Sequence, residues 1–223
     1  ARLMRLECFQ ICGHGRKSSM ITLRKETLAD HSAVEKLLDT CFGTERHAKA
    51  SYRLRDSIMP VSGLSFVAQD KAGSLVGTIR FWACELVSRA GGDAAHQQAQ
   101  LVLLLGPLAV APQVRGQKVG QSLIERGVQQ AHALGFDHIF LVGDADYYSR
   151  FGFVPVEAGR LCLPGGADSH RILSYGLKTQ AVLPLEAQLC PSQDYAIPSS
   201  YASSFDGRRP EKKRTLQPAY LTA

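Results

Sequence analysis

Apolar positions along the chain follow two periods, and the changes between them mark out the elements. Residues 20–25 alternate as a short edge strand, and residues 28–41 set Val34, Leu37, Leu38 and Cys41 at helical spacing. Residues 45–55 read as a second, strongly basic helix. Residues 64–70 and 74–86 predict two antiparallel strands around the turn Asp70-Lys71-Ala72-Gly73, followed by a polar, Gly-rich loop over 90–98. Residues 101–110 predict a buried strand interrupted by Gly106-Pro107, a pair that implies a bulge or bend where ladder hydrogen bonds stop. The strongest helix signal covers 117–134: Val119, Leu123, Ile124, Val128, Ala131 and Leu134 share one face, and Gly135 suits the residue past the end. A short apolar strand at 137–143 precedes a short helix at 146–151, whose leading Asp146 suits the positive end of the helix dipole. Strands at 152–156 and 171–177 complete the order β-α-α-β-β-β-α-β-α-β-β, which predicts an α/β fold around a mixed sheet.

Length changes this picture little, because 223 residues suit one domain with appendages. Residues 1–19 show no steady period and read as a leader or extension, with Met20 a natural start. The folded domain is expected over 20–184, and residues 185–223 read as a basic Ser/Pro/Gly-rich tail. Charge matters more. The net +6 looks at first like a nucleic-acid signal. Arg2, Arg5, Arg16 and Lys17 against Glu7 give the first 19 residues +3, and residues 207–223 carry +4, which leaves −1 for the rest. The basicity sits in the ends, which argues against a nucleic-acid partner. No apolar run approaches the roughly 18 residues of a membrane helix, so no membrane partner is expected. The six cysteines are scattered without a Cys-x-x-Cys pair, which suits reduced thiols and a cytoplasmic location. Cys8, Cys12 and His14 offer only three ligands in a segment without other structure signals, and no metal is expected.

The segment that carries chemistry runs from Leu105 to Ile124, where a buried strand passes through Arg115-Gly116-Gln117-Lys118-Val119-Gly120 into the strong helix. Backbone N–H groups in such a loop, backed by the helix's positive end, form a ready site for a diphosphate. Neither a P-loop nor a Gly-x-Gly-x-x-Gly pattern is present.

Arg115 to Gly120 resembles the acetyl-CoA loop of the GNAT acetyltransferases, Arg/Gln-x-x-Gly-x-Gly/Ala. Downstream, Gly143-Asp-Ala-Asp-Tyr-Tyr-Ser-Arg-Phe-Gly-Phe153 resembles the Tyr-x-x-x-Gly-Phe element of the same superfamily. With Leu105-Gly-Pro-Leu-Ala-Val110, Phe42-Gly43 and Leu163-Pro-Gly165, the chain looks like the bacterial YhbS-type branch from residue 20 to about 177. The resemblance implies a GNAT fold: a central mixed, mostly antiparallel sheet with splayed strands, flanked by helices. It implies acetyl-CoA as co-substrate, with backbone at Leu108 and Val110 along the pantetheine arm and Arg115, Gly116, Gln117, Lys118, Val119 and Gly120 at the diphosphate. Lys118 stands where the family commonly has glycine, and it can still donate its N–H if its φ is negative.

The implied activity is transfer of an acetyl or similar short acyl group to a primary amine by direct attack. Such a reaction needs an acid near the sulfur, a donor for the oxyanion and a route for the amine's proton. Tyr148 matches the family tyrosine that protonates the leaving thiolate, and Tyr147, about 100° around the helix, is expected in the core. A backbone N–H near Leu108 would serve the oxyanion. Glu85, Asp144, His138 or an ordered water are the candidates for the base. Trp82 is expected in the core, and His31, His47, His96, His132 and His170 on the surface or in loops. The expected acceptor is a small-molecule amine or a protein or peptide amine, and a homodimer is left open. The competing class is a non-catalytic acyl-CoA sensor, which would keep the phosphate loop without needing Tyr148.

Overall fold

A 14-residue strand of nearly continuous apolar character, Leu75–Ser88, forms the spine of the protein because both of its faces are covered. The structure is a computed structural model and describes residues 9–11, 20–48, 52, 54–55, 58–88, 99–164, 169–178, 183–184 and 186–192. In chain order its elements are β1 (Phe9–Ile11), β2 (Ile21–Lys25), α1 (His31–Phe42), β3 (Phe66–Gln69), β4 (Leu75–Ser88) and β5 (Gln100–Val110). There follow α2 (Val119–Ala133), β6 (His138–Val142), α3 (Ala145–Tyr148), β7 (Val154–Pro155), β8 (Leu161–Cys162), β9 (Ile172–Gly176) and β10 (Ala187–Pro191). The sheet order is β1-β2-β3-β4-β5-β6-β9-β7, with β10 and β8 attached beside β4. The β5–β6 and β8–β10 pairs are parallel and the other pairs antiparallel.

Strand alternation assigns the two faces. Gly77 and Phe81 of β4 face α2: an added Cβ on Gly77 would sit 3.0 Å from Val119, and one on Gly127 would sit 2.5 Å from the Phe81 ring. Thr78, Arg80 and Trp82 face the other way. There Arg80 is buried and bonded to Glu26 (2.6 Å) and to Glu35 of α1 (2.7 Å), which locks that helix to the sheet. Beyond Trp82 this second face becomes an apolar cluster with Leu54, Cys84, Leu104, Phe140 and Leu189.

One edge of β4 is covered in relay. β3 pairs with it as far as Ile79, the Val61 N–H donates to the Phe81 carbonyl (2.7 Å), and the Ser192 N–H donates to the Ala83 carbonyl (3.0 Å). β10 then pairs from Pro191↔Cys84 to Ala187↔Ser88. This corrects the expectation of a tail from residue 185. Leu189 is fully buried, and the apolar alternation of Ala187 and Leu189 was masked by Ser- and Pro-rich surroundings. Residues 9–11, placed outside the fold by the sequence reading, pair with β2 from Phe9↔Leu23 to Ile11↔Ile21, so β2 is not an edge strand. The basic helix expected over 45–55 begins as a 3-10 turn, Thr44–Ala48, and part of that range lies outside the described residues. The loop expected over 90–98, together with Cys8, Cys12 and His14, also lies outside them. Among the described residues no helix is long and apolar enough to cross a membrane, and no group of three or more metal-ligating side chains occurs.

Candidate functional site

β5 and β6 run parallel but pair only at Leu103↔Ile139 and Leu104↔Phe140. Past those residues the two strands part. β5 stays on β4 as far as Val110, and β6 stays on β9 as far as Val142. The sequence pair that predicted this break sits at its root. In the β4–β5 ladder the register passes from Phe81↔Leu105 to Ile79↔Leu108, so Gly106 and Pro107 together oppose Arg80, the two-against-one pattern of a bulge. The Gly106–Pro107 peptide is cis, Gly106 has φ 131°, and Trp82 Nε1 donates to the Gly106 carbonyl.

Below the fork, the loop after β5 turns into α2. Arg115, Gly116, Gln117 and Lys118 are exposed, whereas Val119 and Gly120 are buried. The first bond of α2 runs from the Ser122 N–H to the Lys118 carbonyl (3.0 Å). The N–H groups of Val119, Gly120 and Gln121 therefore have no acceptor within the helix, and no side chain of the preceding residue caps them. Gly116 lies at φ 81° and Lys118 at φ 61°. The positive φ of Lys118 departs from the negative value its family-atypical side chain was expected to require. The turn needs a left-handed residue before α2, and lysine takes that conformation.

Gly120 marks a close approach between α2 and α3. An added Cβ would lie 2.8 Å from the Tyr147 hydroxyl and 3.4 Å from Val110. Tyr147 thus spans from α3 to the start of α2. Its ring packs on the core as expected, but its hydroxyl reaches the loop. The Tyr148 ring sits under the fork instead: an added Cβ on Gly143 would meet it at 2.6 Å, and it contacts Phe153 edge-on at 5.9 Å. The two tyrosine rings meet edge to face, their planes 87° apart. Burial raises the pKa of both phenols, more strongly at Tyr148, so both stay protonated through the neutral range. Asp144 rather than Asp146 caps α3, its side chain accepting from the Asp146 N–H (3.0 Å).

The base candidates separate in space. Glu85 accepts from Ser192 Oγ (3.0 Å) beside β10, far along β4 from the bulge. His138 is buried at the closed end of the fork, stacked on Phe140. Asp144, next to Gly143, lines a 350 Å³ cavity with Pro155, His170 and Ile172. Sequence reasoning missed Arg55. It was counted with a basic helix face, yet it turns inward over the Tyr52 ring (4.5 Å) and beside Trp82 (6.0 Å).

A parallel strand pair forked at a bulge, closing on the uncapped start of a long helix, defines the fold class of the acyl-CoA N-acyltransferases. Comparison with known proteins gives the same class. A family profile described as "Acetyltransferase (GNAT) domain" matches residues 62–155. The chain is 30% identical over 131 residues to YhbS of Escherichia coli, named as an uncharacterized N-acetyltransferase, a match that spans 59% of this chain and 72% of that one. It is 29% identical over 127 residues to YjhQ of Escherichia coli K12, also named as an uncharacterized N-acetyltransferase, spanning 57% of this chain and 66% of that one. Among solved structures, YhbS from Escherichia coli in complex with CoA superposes with a TM-score of 0.63 at 22% identity, covering 81% of this chain and 94% of that one. A GNAT family acetyltransferase from Brucella melitensis in complex with acetyl-CoA gives 0.54 at 21% identity, covering 78% and 96%. The chain belongs to the GNAT acetyltransferase family.

Proposed function

We propose that this protein transfers an acetyl or similar short acyl group from acetyl-CoA to a primary amine by direct attack, with Tyr148 as general acid. The observation that carries this reading is the fork. Its inner edges leave β5 unpaired by β6 around Leu108 and Val110, where an extended ligand arm would pair and where the Val110 carbonyl accepts a long bond from Cys41 Sγ (3.5 Å), and it leads to the open N–H groups at the start of α2. An amide-bearing pantetheine arm and a diphosphate match those two features in order. The diphosphate would lie on Arg115, Gly116, Gln117, Lys118, Val119 and Gly120, where the missing Cβ of Gly120 keeps the loop open. The CoA and acetyl-CoA bound by the two structural neighbours support the same ligand class.

Tyr148 would give its proton to the departing sulfur as the amine nitrogen bonds the acyl carbon and the C–S bond breaks. The proton shed by the amine leaves to solvent, and the phenolate regains one from the same source. Burial raises the Tyr148 phenol above its ordinary value and raises a thiol sharing the pocket in the same direction, so the two keep about the spacing of their ordinary values, roughly 10 and 8.5, and the slightly uphill transfer is completed as the free thiol departs. A backbone N–H near Leu108 would hold the oxyanion, and such preorganised donors contribute several kcal/mol.

Tyr148→Phe removes the hydroxyl and keeps the ring against Phe153. Turnover, read as free thiol released from acetyl-CoA with an accepted amine, is expected to fall at least tenfold, within the roughly 10²–10⁴-fold span of general acid catalysis. CoA affinity and melting temperature should stay near wild type. Tyr147→Phe should move the KM for acetyl-CoA and leave kcat largely intact, since that hydroxyl faces the loop. Wild-type turnover by Tyr148→Phe, with chemistry rate-limiting, would remove the acid role and favour a water-mediated proton path.

A further inference from the structure

Arg46 and Arg80 are buried on the face of the sheet that carries α1, Arg55 is half-buried beside them, and the three differ in one respect. Arg80 is bonded to Glu26 and Glu35. Arg46 is bonded to Glu35 (2.5 Å), Asp39 (2.9 Å) and the Tyr52 hydroxyl (3.2 Å). Arg55 has no carboxylate among the described residues. Its Nε and Nη1 are sealed from solvent without a hydrogen-bond partner, although the residue as a whole keeps some exposure. Its guanidinium is sandwiched between the Tyr52 ring and the Trp82 indole. The nearby Cys84 supplies no counter-charge, because burial pushes its thiol up to about 12. Burial pulls Arg55 itself down to about 10, which still leaves it cationic at neutral pH. Guanidinium nitrogens sealed from solvent with no partner among the described residues are costly, and such a group calls for an explanation.

Its position says which ligand. Arg55 Nη2 lies 3.0 Å from where a Cβ on Gly106 would project, so the guanidinium sits at the bulge. Val110 and Gly120, where the CoA loop begins, belong to the α2 side of the sheet. Arg55 and Trp82 stand on the opposite side, the side from which a second substrate can reach a thioester lodged in the fork. From Gly106 to Leu108 is at most about 7 Å, one cis and one trans peptide step, a span that an amine a few bonds from an anionic group can bridge. A planar guanidinium held between rings suits a carboxylate, which it can grip through two parallel hydrogen bonds.

We propose that Arg55 is the anchor of the acceptor site and that the acceptor is a small amine bearing a carboxylate, an amino acid or short peptide with its carboxyl group free. The proposal rests on the acyltransfer reading above and narrows it.

The test uses the full chain with acetyl-CoA and matched pairs: amino acids and dipeptides, each beside its carboxamide, which keeps the amine and loses the charge. The wild type should prefer the free acids by at least tenfold in kcat/KM. Arg55→Gln should bring that ratio close to one, with CoA affinity kept and melting temperature equal or higher, since an unpaired buried charge has gone. Arg55→Lys, charged but not planar, should fall between them. Equal use of acids and amides by the wild type, or an unchanged preference in Arg55→Gln, overturns the assignment. If no compound turns over while CoA still binds, the acyltransfer reading is what fails, and the anchor is then judged by binding. Trp82 is the sole tryptophan. Its emission should respond saturably to the acids and not the amides in the wild type, and to neither in Arg55→Gln. No such response in the wild type overturns the anchor as well.

Discussion

Lys118 separates a backbone cost from a charge benefit, and Lys118→Gly should move the two in opposite directions. At φ 61° the residue is left-handed, which costs an L-residue about 1–2 kcal/mol. Glycine relieves that strain and gives back about 0.5–1 kcal/mol through its freer unfolded chain. The net gain is about 0.5–1 kcal/mol, or roughly 1–4 °C in melting temperature for a chain of this size. Binding should respond the other way. An exposed ammonium beside phosphate is worth about 0.2–1 kcal/mol, so its loss should raise the Kd for CoA by a factor of about 1.4 to 5 at low salt, and less at high salt. Lys118→Met is the control, because it removes the charge and keeps the strained backbone: its melting temperature should match wild type and its Kd should rise like that of Lys118→Gly. Calorimetric titration with CoA and thermal melts of the three proteins give all the quantities needed. If Lys118→Gly melts at or below wild type, the strain argument is wrong. If Lys118→Met binds CoA as tightly as wild type, the lysine charge plays no part in the site.

Gly120→Glu brings a carboxylate beside the diphosphate position and a Cβ 2.8 Å from the Tyr147 hydroxyl. CoA affinity measured by calorimetry should fall by far more than tenfold, and near-wild-type affinity in a folded variant would refute the loop assignment. Ending the chain at residue 184 removes β10, buried Leu189 included, whereas ending it at 193 retains both. The shorter chain should lose at least the 2–5 kcal/mol of a large-to-small change at a buried leucine, and an unshifted melt would show that β10 adds nothing. Asp30 accepts from both Arg24 nitrogens (2.7 and 2.6 Å) and from the Thr27 N–H (2.8 Å), bonds that hold its carboxyl well below the usual range. Its folded pKa is depressed, so its contribution is present above pH about 4 and lost as the pH falls further. The stability gap between wild type and Asp30→Asn should therefore close in acid, and a gap of constant size from pH 7 to pH 2 would contradict this.

The bulge at the root of the fork was legible because its cause is local, whereas the splaying of β5 from β6 was expected only through the family resemblance. Gly106-Pro107 in an apolar strand can only disturb pairing there, and the phosphate loop follows within a few residues. The long helix and the paired tyrosines were equally legible, since a 3.6-residue period fixes which side chains share a face. Features that depend on distant partners were hidden. β10 is a short strand whose signal, Ala187 and Leu189, gains meaning only from the exposed edge of β4 more than 90 residues earlier. Arg55 looked like any surface cation, because nothing local says that Tyr52 and Trp82 will enclose it while Glu35 and Asp39 go to its neighbours. Lys118 was flagged as atypical, but the sign of its φ is set by how the chain must turn between β5 and α2.

The fork must stay open without help from the groups it leaves unpaired, and the ladders outside it explain how. β5 is held to β4 through nine register pairs and β6 to β9 through five, against two between β5 and β6. Each arm is fixed from its outer side, so the inner edges cannot close without breaking more pairs than they would gain. The arrangement in turn needs β4 to be immobile. That is the work of the relay of β3, Val61, Ser192 and β10 along its far edge, with Arg80 tying it to Glu26 and Glu35. Those arginine–carboxylate bonds complete one another and leave nothing for a ligand. Arg55, which has no carboxylate partner among the described residues, sits at the bulge where the two arms part. Carboxylate-bonded arginines hold the scaffold, and Arg55 stands at the bulge, where the proposed acceptor would enter.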